Sequence, residues 1–289
     1  MGIRILTDTG CDLPQEIFKE FDIDVLPLII IKNDVEYLDR VNIMPKEVYD
    51  GMREGSVYKT AQISPGTFYD KFEDYAKKGD SIIYISFSSG LSGTYSTSIL
   101  MKEKIKENYP SFDIEIIDSK SATTGFGLIV LEAAKMAKKG ESMDAIIKAV
   151  NFYVENIEHV FTVDDIEYLY RGGRVSRSQA ILGGLLNIKP VLHVEDGKLV
   201  ALDKVRGRNK ALKAMLDIME KKVDKSILKN QIIGIGHGDD LEEVIKVKEL
   251  ISERFGTESF LIETIGTAIG AHSGPGTIAI TFLRKLYEE

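Results

Sequence analysis

Apolar and polar residues follow two alternating rhythms along the first half of the chain. Short apolar runs at residues 3–7, 25–31, 82–85 and 114–117 predict buried strands. Between them, apolar positions recur at helical spacing over residues 14–21, 45–53, 66–77, 95–107, 123–139 and 142–156. Local signals fit these limits. Asp12 stands where it can cap the first helix, with Pro14 in its first turn, and Ser64 precedes Pro65 as the cap of the third. Residues 34–37 make a turn and a return, and residues 59–63 are extended. Strand and helix in alternation predict a parallel sheet with helices on both faces.

The second half has a different pattern. Residues 159–163 read as a strand and 164–170 as a short helix. A basic glycine turn, 171–177, follows, and Ser176 can cap a helix over 177–183. Two strands, 188–194 and 198–205, flank Glu195-Asp196-Gly197 as a hairpin. The next helix shows Leu212, Met215, Leu216 and Met219 on one face. Residues 231–236, 259–264 and 277–282 are strands, with a helix at 239–254 and a loop carrying His272. The expectation is an α/β chain of two domains. Residues 1–157 form an N-terminal, mostly parallel α/β/α sheet, and residues 158–289 a C-terminal mixed or antiparallel sheet with helices.

Composition narrows the function. A net charge of −8 from 37 basic and 45 acidic residues argues against nucleic acid as a partner. The single cysteine, Cys11, allows no internal disulfide and suits a reducing cytosol. Residues 126–137 are the most apolar helical stretch, but Glu132 and Lys135 interrupt it, so no integral membrane segment is expected. Met1-Gly2-Ile3-Arg4 leads into strand sequence without a signal-peptide apolar region, which predicts a cytoplasmic location.

The stretch richest in chemistry is residues 82–94, IIYISFSSGLSGT. A strand that ends in serines and glycines at a helix start makes an anion site, because the first-turn N–H groups are free and the dipole is positive there. Phosphate, a reacting carbonyl and a carboxylate all fit that description. The chain has no G-x-x-x-x-G-K-[ST] and no G-x-G-x-x-G, and Gly93 directly follows Ser92, which breaks the spacing of a nucleophile elbow. Gly234 to Gly238 reads as a turn into a helix rather than a dinucleotide loop. A serine hydrolase or acyltransferase pairing Ser92 with His272 is one alternative. His159 reads as structural and His193 as partly exposed. No set of side chains has metal-ligand spacing. Asp8 and Thr9 fall at the carboxyl end of the first strand, where open sheets place ligands. Arg171, Arg174 and Arg177, with Lys204, Arg206 and Arg208, make a basic cluster suited to a partner or a phosphorylated product.

Several elements together resemble one family. Thr60-Ala61-Gln62-Ile63-Ser64-Pro65 is similar to a T-S-Q-P-S-P element, departing from it at Ala61 and Ile63. Ser88-Ser89-Gly90-Leu91-Ser92-Gly93-Thr94 resembles an S-x-L-S-G-T loop, and Leu169-Tyr170-Arg171-Gly172-Gly173-Arg174-Val175-Ser176 an L-x-[KR]-G-G-R-[IV]-S turn. Lys189-Pro190-Val191-Leu192, Asp196-Gly197-Lys198 and Lys204-Val205-Arg206-Gly207 resemble a K-P-[IV]-L…D-G-K…K-x-R-[GT] run, and Gly270 to Gly276 a G-x-H-x-G-P-G. With Thr7-Asp8-Thr9 and Asp12-Leu13, these resemble the DegV family in order along the whole chain.

That resemblance implies a long-chain fatty acid, such as palmitate, oleate or stearate, held in a tunnel between the two domains. Its carboxylate is expected at Thr60 and Ser92, with Gly93, Thr94 and His272 close by. Arg174 and Arg206 are expected on a face that docks a separate ATP-dependent fatty acid kinase subunit. The chain is then a non-catalytic carrier, expected as a monomer, with no cofactor or metal. A lipid-sensing regulator without a kinase is the remaining alternative. Neutral hydroxyls and N–H groups, without a bidentate arginine, leave the carboxylate free to attack a phosphoryl donor.

Overall fold

The computed structural model describes residues 2–180 and 187–287. The N-terminal half runs β1 (Ile3–Asp8), α1 (Gln15–Glu20), β2 (Asp24–Leu26), β3 (Ile29–Lys32), β4 (Val35–Leu38), α2 (Pro45–Arg53), β5 (Lys59–Ala61) and α3 (Pro65–Lys78). It continues with β6 (Ser81–Ser86), α4 (Thr94–Asn108), β7 (Ile114–Asp118), α5 (Thr123–Lys139) and α6 (Met143–Asn156). The strands β2-β1-β6-β7 form an all-parallel sheet. Ser64 and Ser142 cap α3 and α6, each accepting from the backbone N–H three residues on.

Two expectations fail here. The apolar run 25–31 is not one strand: Pro27 cannot donate to a ladder, and the chain leaves the parallel sheet there. It then forms β3, which pairs antiparallel with β4 and β5 in a separate three-stranded sheet. Asp12 does not cap α1, whose N-cap Pro14 has no side-chain bond. Asp12 is instead buried and accepts from Arg40 Nη2 at 3.0 Å and from Gly266 N at 2.8 Å.

The C-terminal half runs β8 (Ile157–Thr162), α7 (Glu167–Arg171), α8 (Arg177–Ala180), β9 (Ile188–Glu195), β10 (Lys198–Arg206) and α9 (Arg208–Lys222). Then come α10 (Lys225–Lys229), β11 (Ile233–His237), α11 (Leu241–Phe255), β12 (Phe260–Thr264), α12 (Thr267–Ser273) and β13 (Ile278–Leu283). The part of the expected helix beyond Ala180 lies outside the described residues. The strand order β10-β9-β8-β13-β11-β12 is mixed, with only β11 and β12 parallel. The β9–β10 turn at Asp196-Gly197 has both residues at positive φ, as a two-residue hairpin requires. The chain therefore has the expected two-domain α/β architecture.

Strand alternation divides the C-terminal core. Val160, Ile278 and Ile280 face the helices α9 and α11, and Phe161 and Ala279 face the other way, toward α7. The helix α12 is fastened to the N-terminal half. Asp39 accepts from Thr267 N at 3.1 Å and from its hydroxyl at 2.6 Å, and Tyr49 donates to the Ile265 carbonyl at 3.0 Å. Arg40 donates to the Thr264 carbonyl at 2.7 Å. Burial pulls the Arg40 guanidinium down, and Asp12 and Asp39 more than offset this, leaving it raised. Burial pushes Asp12 up to about 7 and raises Asp39 as well.

Candidate functional site

The loop after β6 is shaped by an acid from β1. Asp8 is fully buried and accepts from Phe87 N and Tyr84 Oη, both at 2.9 Å, and from Gly10 N at 3.0 Å. Burial raises this carboxyl to about 6. Asp8 thus holds the loop rather than facing a ligand. Ser88 donates to the Gly197 carbonyl at the hairpin tip, at 2.7 Å, and Ser89 bonds Asp118. Those commitments leave Ser92 as the loop hydroxyl on the cavity wall, 2.9 Å from Thr94 Oγ1 and accepting from Thr94 N at 3.2 Å. Thr94 itself is buried behind Ser92. Gly93 is the N-cap of α4, and a Cβ there would lie 1.9 Å from Gln62 Oε1, so any side chain at this position would push the Gln62 amide aside.

Thr60, from β5, stands on the same cavity and meets His272 Nε2 at 2.7 Å. His272 belongs to the last turn of α12, not to a loop as expected, because the helix runs on to Ser273. Burial, and secondarily the Arg174 charge, push this imidazole down to about 3, so it is neutral at ordinary pH. A Cβ on Gly172 would sit 2.0 Å from His272 Nδ1, so the turn after α7 presses on the ring's other edge. Arg174 is half-buried on the cavity wall and donates to the Leu91 carbonyl through Nε at 3.2 Å and Nη2 at 3.0 Å. Burial lowers its pKa.

These groups surround a cavity of about 290 Å³ between the two halves of the chain. Its remaining walls are largely apolar, with Leu28, Phe87, Phe161, Leu199, Ile265 and Ala279. No aspartate or glutamate lines it among the described residues. The size is at the small end of ligand sites, and the chemistry suits an apolar body with one anionic end. Ser92 and His272 do not bond each other, since Ser92 turns to Thr94 and His272 to Thr60.

The model of the DegV family matches residues 2–285. The chain belongs to the DegV family. A DegV domain-containing protein of Clostridium perfringens is 41% identical over 282 residues, 96% of each chain. One from Caldanaerobacter subterraneus is 37% identical, over 98% of this chain and 99% of the relative. Among solved structures, a stearic acid-binding protein from Eubacterium ventriosum superposes with a TM-score of 0.91 at 27% identity, over 98% of each chain. A fatty-acid-binding DegV protein from Thermus thermophilus gives 0.87 at 27% identity, over 99% of this chain and all of the other. DegV of Bacillus subtilis, also a fatty acid binding protein, gives 0.84 at 28%, over 99% of this chain and all of the other.

Against this DegV architecture, Thr60, Ser92, Gly93 and His272 come together on one cavity, and Thr94 supports Ser92 from behind. Arg206 is exposed at the end of β10, and Arg208 is tied to Glu243 and the Gly276 carbonyl. Sequence reasoning missed Gln62 and Phe161, and it placed Arg174 only at a docking face. It also took His159 as structural and His193 as partly exposed. His159 meets Ser121 Oγ at 2.8 Å yet lines the cavity, and burial pushes it down to about 4. His193, in the interior strand β9, is buried rather than partly exposed. The alternation along β8 is the signal that could have exposed Phe161. Nothing local in the sequence marks His193. No group of three or more candidate metal ligands exists among the described residues, and no helix is long and apolar enough to cross a membrane.

Proposed function

We propose that the chain binds one long-chain fatty acid in the interdomain cavity and presents its carboxylate to a separate ATP-dependent kinase subunit in the cytoplasm. The observation that carries this reading is the convergence of Thr60, Ser92, His272 and Arg174 on a largely apolar cavity that no acid lines among the described residues. Fatty acids bound by DegV neighbours of the same fold support it. The protein does no chemistry of its own in this scheme. A carboxylate oxygen attacks the γ-phosphorus of ATP, the bond from that phosphorus to the β–γ bridging oxygen breaks, and ADP leaves as the acyl phosphate forms. Arg206, exposed at its strand end, is a docking contact for the kinase, and Arg174 serves both the docking face and the head group. The carrier acts as a monomer.

Magnitudes divide the work between tail and head. Burying about 14 methylenes contributes on the order of 11 kcal/mol before ordering costs. Each hydrogen bond to the charged head contributes about 1.5–3 kcal/mol. The tail therefore sets affinity, while Thr60 and Ser92 set orientation.

Native mass spectrometry of the purified full chain, with added oleate or palmitate, tests the binding. One retained fatty acid per chain is expected. A chain that stays apo with both lipids refutes the reading. With a kinase subunit added, Ser92→Ala and Thr60→Ala should slow acyl-phosphate formation more than they weaken lipid retention. A serine hydrolase would instead label at Ser92 with an activity-based probe, an outcome that the Ser92–Thr94 and Thr60–His272 pairings disfavour.

A further inference from the structure

The head-group site is a wall between two hollows. Thr60, Arg174 and His272 line the inner cavity and also an outer groove of about 260 Å³. Two more cations, Lys59 and Arg171, line the outer groove only. Lys59 is exposed, one residue before Thr60 in β5. Arg171 is exposed and stacks on the Tyr168 ring at 5.3 Å. Among the described residues neither Lys59 nor Arg171 is in an ion pair. The hydrogen bonds of Arg174 go to the Leu91 and Gly172 carbonyls, and among the described residues no carboxylate pairs with it either. No acidic residue lines the groove among the described residues, although the chain as a whole carries −8.

We propose that the outer groove is an anion subsite for the phosphoryl group of an acyl phosphate whose tail occupies the inner cavity. This rests on the fatty-acid reading above and adds the residues that tell the phosphorylated head from the free one. Phosphorylation converts a monoanionic carboxylate into a larger head carrying close to two negative charges. Because Thr60, Arg174 and His272 line both hollows, a head bulkier than a carboxylate would extend past them toward the groove. Three cations without carboxylate partners then stabilise the second charge, which a carboxylate lacks. Lys59 and Arg171 touch only the outer hollow, so they act on the phosphorylated head and not on the tail or the free acid.

Hexadecyl phosphate tests this, since it carries a tail of palmitate length and a stable phosphate with a second pKa of about 6. Its affinity and that of palmitate are measured for the full chain and for the double variant Lys59→Ala/Arg171→Ala, by displacement of a fluorescent fatty acid. The double variant is expected to lose about ten-fold or more for hexadecyl phosphate and to stay within about two-fold for palmitate. The difference should shrink as salt rises from about 50 to about 500 mM. Retained palmitate binding is the control for folding, and Arg171→Lys should restore part of the phosphate affinity. Equal losses for both ligands, or no loss for hexadecyl phosphate, overturn the subsite. A wild-type chain that binds neither ligand overturns the fatty-acid reading instead.

Discussion

Gly172 and Gly173 are adjacent, yet the structure demands glycine at each for a different reason, and a pair of alanine variants separates them. Gly172 has ordinary helical dihedrals, with φ at −75°, so backbone conformation does not require glycine there. Contact does: an added Cβ would lie 2.0 Å from His272 Nδ1 and 2.8 Å from its Cε1. The imidazole cannot slide straight back, because Thr60 Oγ1 stands 2.7 Å from its opposite nitrogen. To reach even a 3.0 Å contact it must swing aside by roughly 1 Å or more, which parts it from Thr60. Overpacking of this kind costs about 1–3 kcal/mol in stability. Loss of an oriented partner at the carboxylate should weaken palmitate binding about ten-fold or more. Gly173 is the reverse case, with φ at +73° and no atom within 4 Å of an added Cβ. Gly173→Ala should cost about 1–2 kcal/mol through its left-handed backbone and leave palmitate affinity unchanged. Urea unfolding and isothermal titration calorimetry give the two readouts. Equal palmitate affinities for the two variants would refute the role given to the Gly172–His272 contact.

Two further outcomes follow from the buried charges. Arg40→Ala leaves Asp12 and Asp39 buried without their cation, and with Arg40 itself one-quarter exposed the expected cost is about 2–3 kcal/mol in urea unfolding; a loss under about 0.5 kcal/mol contradicts it. His159 and His272 have folded values of about 4 and 3, below the ordinary 6.5. Their stabilisation is complete above pH 6.5 and is lost as pH falls toward those values, by up to about 1.4 kcal/mol per pH unit for each group. Asp8 and Asp12, raised from 3.8 to about 6 and 7, act oppositely, and their contribution is lost as pH rises through those values. The difference between wild type and His159→Gln isolates one term: the variant should lose stability less steeply from pH 6.5 to 4.5, and parallel curves would rule this out.

Local chemistry carried most of the legible structure. The cap at Ser64, the Asp196-Gly197 turn and most of the short apolar runs alternating with helical spacing act within a few residues and appear where expected, the run broken at Pro27 excepted. The serine loop was visible because a strand-to-helix junction rich in glycine has one physical meaning. What escaped was set at a distance. The Asp12–Gly266 bond spans 254 residues, and the Thr60–His272 contact 212. Strands of three or four residues, such as β3 to β5, are too short for their periodicity to register. Arg174 read as a surface cation because charge alone does not tell which side of a thin wall a guanidinium lines.

The span of the Thr60–His272 contact has one more consequence. Each half of the chain carries part of the head-group wall, and α12 is fastened to the other half by bonds to Asp39 and Tyr49, with Asp12 and Arg40 holding the residues just before it. A fragment cut near the middle would fold, at best, around an incomplete site. On the proposed fatty-acid reading, occupancy by lipid is linked to the docking of the two halves, and by mass action a bound lipid would hold them together. Retained lipid would then double as a quality mark, expected on chains whose halves have met and not on those nicked or misassembled.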